Sequence, residues 1–279
     1  MRNRGGSQKG DNQLIKDKVI ERLNEQFPQQ NYHLICLAVT GSQAYGMNTA
    51  ESDIDVMGIF LPPIPYIFGV ERVDQVLIDK GKYGFEGTLF SFSKWFNLMI
   101  EQNPNVMELL WHVDTNYVYR DTWYWDRLIL NRGYYLSKKL KHSYAGYAWA
   151  QMQRLKKLNE KVNQNTKRLA NFEKYGYDVK AASHVMRLLG TALDALIDHE
   201  IQVMRPDRQF LLAIREGKYT YEQLVEMADA KMKLIEEAYV KSDLRNRIDP
   251  VVQKSEHLSI LQDWVQRANV YTRGCGNVA

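Results

Sequence analysis

Two nearly uninterrupted apolar runs, YHLICLAVTG (32–41) and DIDVMGIFL (53–61), lie close together and constrain the fold more than any other feature of the sequence. A short segment that is apolar at almost every position reads as a strand covered on both faces, inside a sheet. The second run nevertheless opens with two acids, Asp53 and Asp55. Side chains two apart on a strand point to one face, so this spacing sets both carboxylates side by side, about 7 Å apart at their Cα atoms. Ile54, Val56 and Phe60 then face the other way, into a core.

Ionised carboxylates in an apolar strand are costly unless something compensates them. Two held together repel, which raises a pKa unless a cation lies between them. A hard divalent cation with oxygen ligands, Mg²⁺ or Mn²⁺, meets that requirement. An exposed edge-strand face, or a turn at Ser52-Asp53, would accommodate the same two residues. With ten residues between it and Asp53, the pair Gly41-Ser42 ends the first run and leads into SQAYGM. A Gly-Ser pair between a strand and a short helix offers backbone N–H groups and a hydroxyl to a phosphate. It also suits an ordinary turn capped by Ser42.

The rest of the chain divides in two. QLIKDKVIERLNEQF (13–27) has helical spacing of its apolar residues, and VDQVLID (73–79) and FEGTLFSF (85–92) read as third and fourth strands joined by the turn KGKYG. SKWFNLMIEQ reads as a helix opening on Ser93, and PNVMELLWHV as another with Pro104 in its first turn. Beyond about residue 120 the pattern becomes long amphipathic stretches, 134–163, 178–205, 206–216 and 221–241. This predicts an α/β (α+β) domain with a small mixed sheet over 13–120, followed by an all-α domain over 121–270. Residues 1–12 are expected as a flexible arm and 271–279 as a flexible tail.

Composition narrows the function classes. No run approaches the roughly 18–20 apolar residues of a membrane span, and the polar start MRNRGGSQKGDNQ has no apolar core of a secretory signal. Two cysteines, Cys36 and Cys275, make no framework and imply a reducing, cytoplasmic setting without a disulfide. A net charge of +4 permits a polyanionic partner without requiring one.

Strand, Gly-Ser, ten residues and Asp-x-Asp on the next strand together resemble the signature of the DNA polymerase β-like nucleotidyltransferase superfamily. The wording GSQAYGMNTAESDIDVMGIF, with Gly58 three residues after Asp55, is similar to one bacterial and phage branch, the RNA ligase-associated predicted nucleotidyltransferases. EGTLFSFSKWFNLMIEQNPNVMELLW and the helical segments LSKKLKHSYAGYAWAQMQRL, YDVKAASHVMRLLGTALDAL and FLLAIREGKYTYEQL extend the likeness over roughly residues 30 to 250.

The resemblance implies a third carboxylate on a neighbouring strand, and Glu86 is the candidate, with Asp74, Asp79 and Glu108 as rivals. The family pattern carries Asp there, so the longer Glu puts full activity in question. Asp53, Asp55 and Glu86 would hold two Mg²⁺ or Mn²⁺ ions, and Gly41 and Ser42 would grip the phosphates of a nucleoside triphosphate. Lys180, Ser183, His184 and Arg187 share one helical face. Lys180, His184 and Arg187, with Lys138, are candidates for neutralising the triphosphate, although a solvated face or a salt-bridge row has the same spacing. Tyr144, Tyr147, Gln151 and Arg154 form a second face suited to stacking a base or to helix packing. The activity implied is transfer of a nucleotidyl group to a hydroxyl, with RNA as acceptor by family analogy. A protein or small-molecule acceptor, or a catalytically weakened nucleotide or RNA sensor, are the alternatives.

Overall fold

The computed structural model describes residues 5–49, 52–155 and 166–274. Five strands, β1 (His33–Val39), β2 (Asp55–Leu61), β3 (Gln75–Ile78), β4 (Glu86–Ser91) and β5 (Tyr117–Arg120), form one mixed sheet in the order β3-β4-β2-β1-β5. The two apolar runs are β1 and β2, paired antiparallel near the middle of the sheet, as their lack of polar alternation requires. β2 and β4 pair parallel, and β3 and β5 close the two edges antiparallel. β5 lies in a stretch where no strand is expected from the sequence. Its four residues are too few to show a period.

Each sheet face has its own cover. Helix Gly5–Gln26 lays Ile15, Val19, Leu23 and Phe27 on one face, against Leu37, Val56, Phe60 and Leu89. This helix begins eight residues earlier than the sequence predicts, so residues 5–12, expected as a flexible arm, are helical. The opposite face carries Ile35, Ala38, Ile59 and Leu61 and joins a continuous core running through the helical half.

At the centre of that half is helix Val179–Asp198, capped by Asp178, whose carboxylate accepts from the Ala181 N–H. It is buried nearly all round in its middle, as a helix packed by neighbours on every side must be. It stops at His199, which takes a left-handed conformation (φ +57°), so the helix expected to reach residue 205 is shorter. Arg208–Arg215 and Tyr221–Lys241 pack against it. The last helix, Pro250–Gly274, returns to the first half, where Trp264 donates to the Pro62 carbonyl at 2.9 Å and Tyr124 to Asp263 at 2.6 Å. The sheet and the helices are therefore held along a shared apolar seam.

The stretch 134–163 is not one helix. A 3₁₀ turn (Arg132–Tyr135), a π-helical turn (Lys141–Gly146) and helix Tyr147–Met152 follow one another, and residues 156–165 lie outside the described part. Cys36 is buried as a free thiol; Cys275, with the end of the expected tail, is outside the described residues. No helix among the described residues is long and apolar enough to cross a membrane.

Candidate active site

Only one of the two acids belongs to the strand, at its first position. β2 starts at Asp55, and Asp53 lies in the loop before it with about half its side chain exposed. The ladder sets this boundary. β1 ends at Val39 opposite Val56, the Thr40 N–H takes the Asp55 carbonyl at 2.8 Å, and the chain then turns away at Gly41. Residues 53 and 54 consequently have no β1 partner. The carboxylates stand at the open end of the sheet, which answers how an apolar run tolerates them.

Parallel pairing of β2 with β4 puts Asp55 directly opposite Glu86. Alternation then sends Val56 and Phe60 towards helix Gly5–Gln26, as the sequence predicts, and both acids towards the helical half. Asp55 is half-buried beside Glu86. Burial, and after it the charge and hydrogen bond of Glu86, push the Asp55 carboxyl above its ordinary value, with Lys180 opposing. The three rivals of Glu86 are engaged elsewhere. Asp74 pairs with Lys94, Asp79 caps the turn Lys80–Tyr83 through the Lys82 N–H, and Glu108 is buried against Arg187.

Gly41 explains the Gly in Gly-Ser. Its φ is +64°, in the left-handed region, and a Cβ placed there would fall 2.2 Å from Asp55 Oδ2. Only glycine lets the turn Gly41–Ala44 lie directly on the carboxylate. Ser42 follows within that single turn. Asp53 pairs with Lys80 at 2.7 Å, and Lys80 also lies close enough to Glu86 and Asp55 for their charges to raise its pKa. Lys80, in the segment read only as a turn, was not legible as a site residue, since nothing local says which strand end it meets.

The helical candidates separate. Lys180 is exposed and faces Asp55. His184 is one turn further on, set back edge-on to Tyr147 with ring centres 6.4 Å apart. Burial, then the charges of Arg187 and Arg215, push its imidazole down to about 3, so it is neutral at ordinary pH and adds no positive charge as it stands. Arg187 is not on an open wall. It is buried and ion-paired with Glu108, its guanidinium stacked 3.9 Å from the Tyr45 ring centre. The Tyr45 hydroxyl donates to the other Glu108 oxygen at 2.8 Å. The shared helical face is real, but it runs from the cleft edge at Lys180 into the interior at Arg187. Tyr45 directly follows the Gly41–Ala44 turn, so this buried triad ties the turn to the central helix.

Lys138 lies elsewhere, over the Tyr239 ring at 5.5 Å with its N–H on the Arg245 carbonyl. Tyr144 is buried and leaves the polar face expected for it, because the π turn Lys141–Gly146 shifts the spacing by which Tyr144 and Tyr147 would align.

A divalent cation suits the donor set by its chemistry. Asp55, Glu86 and the nearby Asp53 offer only carboxylate oxygens, and the charge of Glu86 against Asp55 is the kind a cation would relieve. As they stand, no three His, Cys, Asp or Glu groups among the described residues converge closely enough to hold a metal, and Asp53 is paired with Lys80.

The match to a family model decides the family. The model described as the RNA repair pathway DNA polymerase beta family matches residues 15–259, nearly the whole chain. The chain belongs to that family. Membership supports a nucleotidyltransferase-like function. A solved structure, a nucleotidyltransferase-like protein from Exiguobacterium sibiricum 255-15, is similar over 92% of both chains at 14% identity, with a TM-score of 0.30. That superposition is too loose to carry any residue across. No curated protein matches the chain.

Proposed function

We propose that this protein transfers a nucleotidyl group from a nucleoside triphosphate to a hydroxyl of RNA and releases pyrophosphate. The observation that carries the reading is the opposition of Asp55 and Glu86 across the parallel pair, with Gly41 packed on Asp55. The family's place in an RNA repair pathway supports RNA as the acceptor class. Asp53, Asp55 and Glu86 would hold Mg²⁺ or Mn²⁺. When bound, such ions supply charge neutralisation for the triphosphate and acidify the acceptor hydroxyl.

The chain's own residues do the rest. Gly41 and Ser42 lie beside Asp55 and would receive the phosphate oxygens at the turn. Lys180, the exposed cation facing Asp55, offsets negative charge on the leaving group. The acceptor oxygen forms a bond to the α-phosphorus while the bond from that phosphorus to the bridging oxygen breaks, and pyrophosphate leaves. Glu86 takes the acceptor's proton. It is the longer acid and stands opposite Asp55 on the neighbouring strand. Little covalent work by the protein is needed, because positioning and charge lower the barrier.

The test is pyrophosphate release from each of the four ribonucleoside triphosphates with Mn²⁺ or Mg²⁺ and total RNA. Release by the native protein and none by the Asp53→Ala/Asp55→Ala variant is expected. Equal release by both would refute the assignment of the acids. No release with RNA, but release with a protein acceptor, would replace the acceptor.

A further inference from the structure

Lys138, set apart from the acids, belongs to a surface that the transferase site leaves unused. Two segments form it, LSKKLKHS (136–143) and DLRNR (243–247), which carry five Lys or Arg residues against the single acid Asp243. The Lys138 N–H donates to the Arg245 carbonyl at 2.8 Å, so the backbone joins the two segments. Lys139 and Lys141 pair with Glu101 and Glu236. Lys138 and Arg245 lie instead over the rings of Tyr239 and Tyr134, each 5.5 Å from the ring centre, and among the described residues neither meets a carboxylate. Their charge is available to an anion from outside.

Arg245 and Tyr134 also line a cleft of about 360 Å³. Leu130, Leu136 and Leu244 give it apolar walls. His199, whose ring nitrogen meets the Ser242 hydroxyl at 3.3 Å, and Asp243 add polar groups. Tyr134 is 53% exposed and Leu130 84%, so a ring and an apolar side chain that a core would take stand open to solvent side by side on one cleft. Apolar walls, an aromatic ring and a few polar groups in a cleft of this size suit a planar heteroaromatic ring. Phosphates on the same ligand would meet Arg245 and Lys138.

The cleft is separate from the acid-bearing site. Helices Val179–Asp198 and Tyr221–Lys241 run side by side in one direction. Tyr177 and Tyr221 meet at their starts, with ring centres 6.3 Å apart, and the last turns of both line one hollow. Lys180 faces Asp55 at the start of the first helix, and His199 follows its end, about 28 Å on. The cations of the two segments also spread beyond the cleft, over more surface than the phosphates of one nucleotide cover. A polyanion passing across the cleft would use them together.

Resting on the RNA reading above, we propose that this cleft is a second RNA site, in which one unpaired base packs against Tyr134 while Arg245 and Lys138 take the flanking phosphates. Unpaired bases are read by stacking on aromatic side chains, and a ring accepts any base because each has a π face. Set at the far end of the central helix from the acids, the site holds the body of the RNA while its reacting hydroxyl lies at Asp55 and Glu86.

Fluorescence-anisotropy titration of the full chain, with no nucleoside triphosphate added, tests it with a labelled unpaired RNA of twenty nucleotides and the same RNA fully paired. Native protein is compared with Arg245→Gln, Tyr134→Leu and Tyr134→Phe. Arg245→Gln and Tyr134→Leu are expected to weaken the unpaired RNA at least about fivefold, and Tyr134→Phe, which keeps the ring, to stay within about twofold. The slope of log affinity against log salt should fall by about one in Arg245→Gln, a change that a purely structural role would not give. The paired RNA should bind native protein more weakly than the unpaired one. Both positions are exposed, and the melting temperature of each variant confirms that it is folded. Unchanged binding in Arg245→Gln and Tyr134→Leu overturns the site, and so does a loss in Arg245→Gln without one in Tyr134→Leu, which is charge alone. Binding that depends on both residues, by a protein that transfers no nucleotide, would keep the site and remove the transferase. Label transferred to RNA by variants that bind it as native protein does would keep the transferase and remove the site. Absence of RNA binding to native protein overturns both the site and RNA as acceptor.

Discussion

Replacing Arg187 by leucine leaves the Glu108 carboxylate in the interior with no cation beside it. The two side chains are 1% and 3% exposed, so water cannot take the place of the guanidinium. Removing one member of a buried ion pair costs about 3–5 kcal/mol, chiefly as the penalty for the charge left behind. The Tyr45 ring also loses the guanidinium stacked 3.9 Å from its centre, a smaller contribution of order 1 kcal/mol. At roughly 2–4 °C per kcal/mol for a chain of this size class, the melting temperature should fall by about 6–20 °C. The double variant Arg187→Leu/Glu108→Leu removes the stranded charge and leaves only the Tyr45 hydroxyl without its acceptor, a loss of about 1–3 kcal/mol. Urea titration of native, single and double variants reads these differences directly. The single variant should be less stable than the double. A single variant within about 1 kcal/mol of native would refute the claim that this triad is a dry anchor between the turn and the central helix.

The acids make a stability prediction opposite in sign to their catalytic one. The Asp55 pKa is raised on folding, so the native state binds more protons than the unfolded state just above the ordinary carboxylate value, and stability falls as pH rises through the folded pKa. Asp55→Asn should therefore melt higher than native at pH 7 without divalent ions, and Mn²⁺ should raise the native melting temperature and not the variant's. His184 has its pKa depressed to about 3, so the unfolded state takes up the proton first; stability is lost as pH falls below about 6.5, and His184→Gln should flatten that loss in pH-dependent melts. Gly41→Ala forces a left-handed alanine at about 1–2 kcal/mol and drives its methyl into Asp55, so transfer activity should fall by more than tenfold while the fold persists by circular dichroism.

Much of the site is legible in the sequence because strands enforce simple rules. The apolar runs specify β1 and β2, and alternation specifies that Val56 and Phe60 oppose the acid-bearing face. Glu86 reaches Asp55 through a pairing register that no local pattern encodes, and it was singled out by the resemblance, which implies a third acid on a neighbouring strand. Asp53 was expected on the strand itself, and its spacing from Asp55 gave no sign that the partner strand ends at Val39. Periodicity groups Lys180, His184 and Arg187 correctly. It cannot say that seven residues, about 10 Å of helix, carry that face from solvent into the core. Lys80 and Tyr45 went unseen for a different reason. A turn lysine and a tyrosine after a Gly-Ser turn acquire meaning only from what tertiary packing sets opposite them. The π turn at Lys141–Gly146 likewise has no sequence signal, and it undid the tyrosine face.

The central claim is tested most directly by incubating native protein and Asp55→Asn with α-phosphate-labelled ribonucleoside triphosphates, Mn²⁺ and RNA, then resolving the RNA. Label that enters RNA with native protein, is removed by ribonuclease and is absent with Asp55→Asn is the predicted result. Label that enters RNA equally with Asp55→Asn, or enters no RNA under any of the four nucleotides, would contradict it.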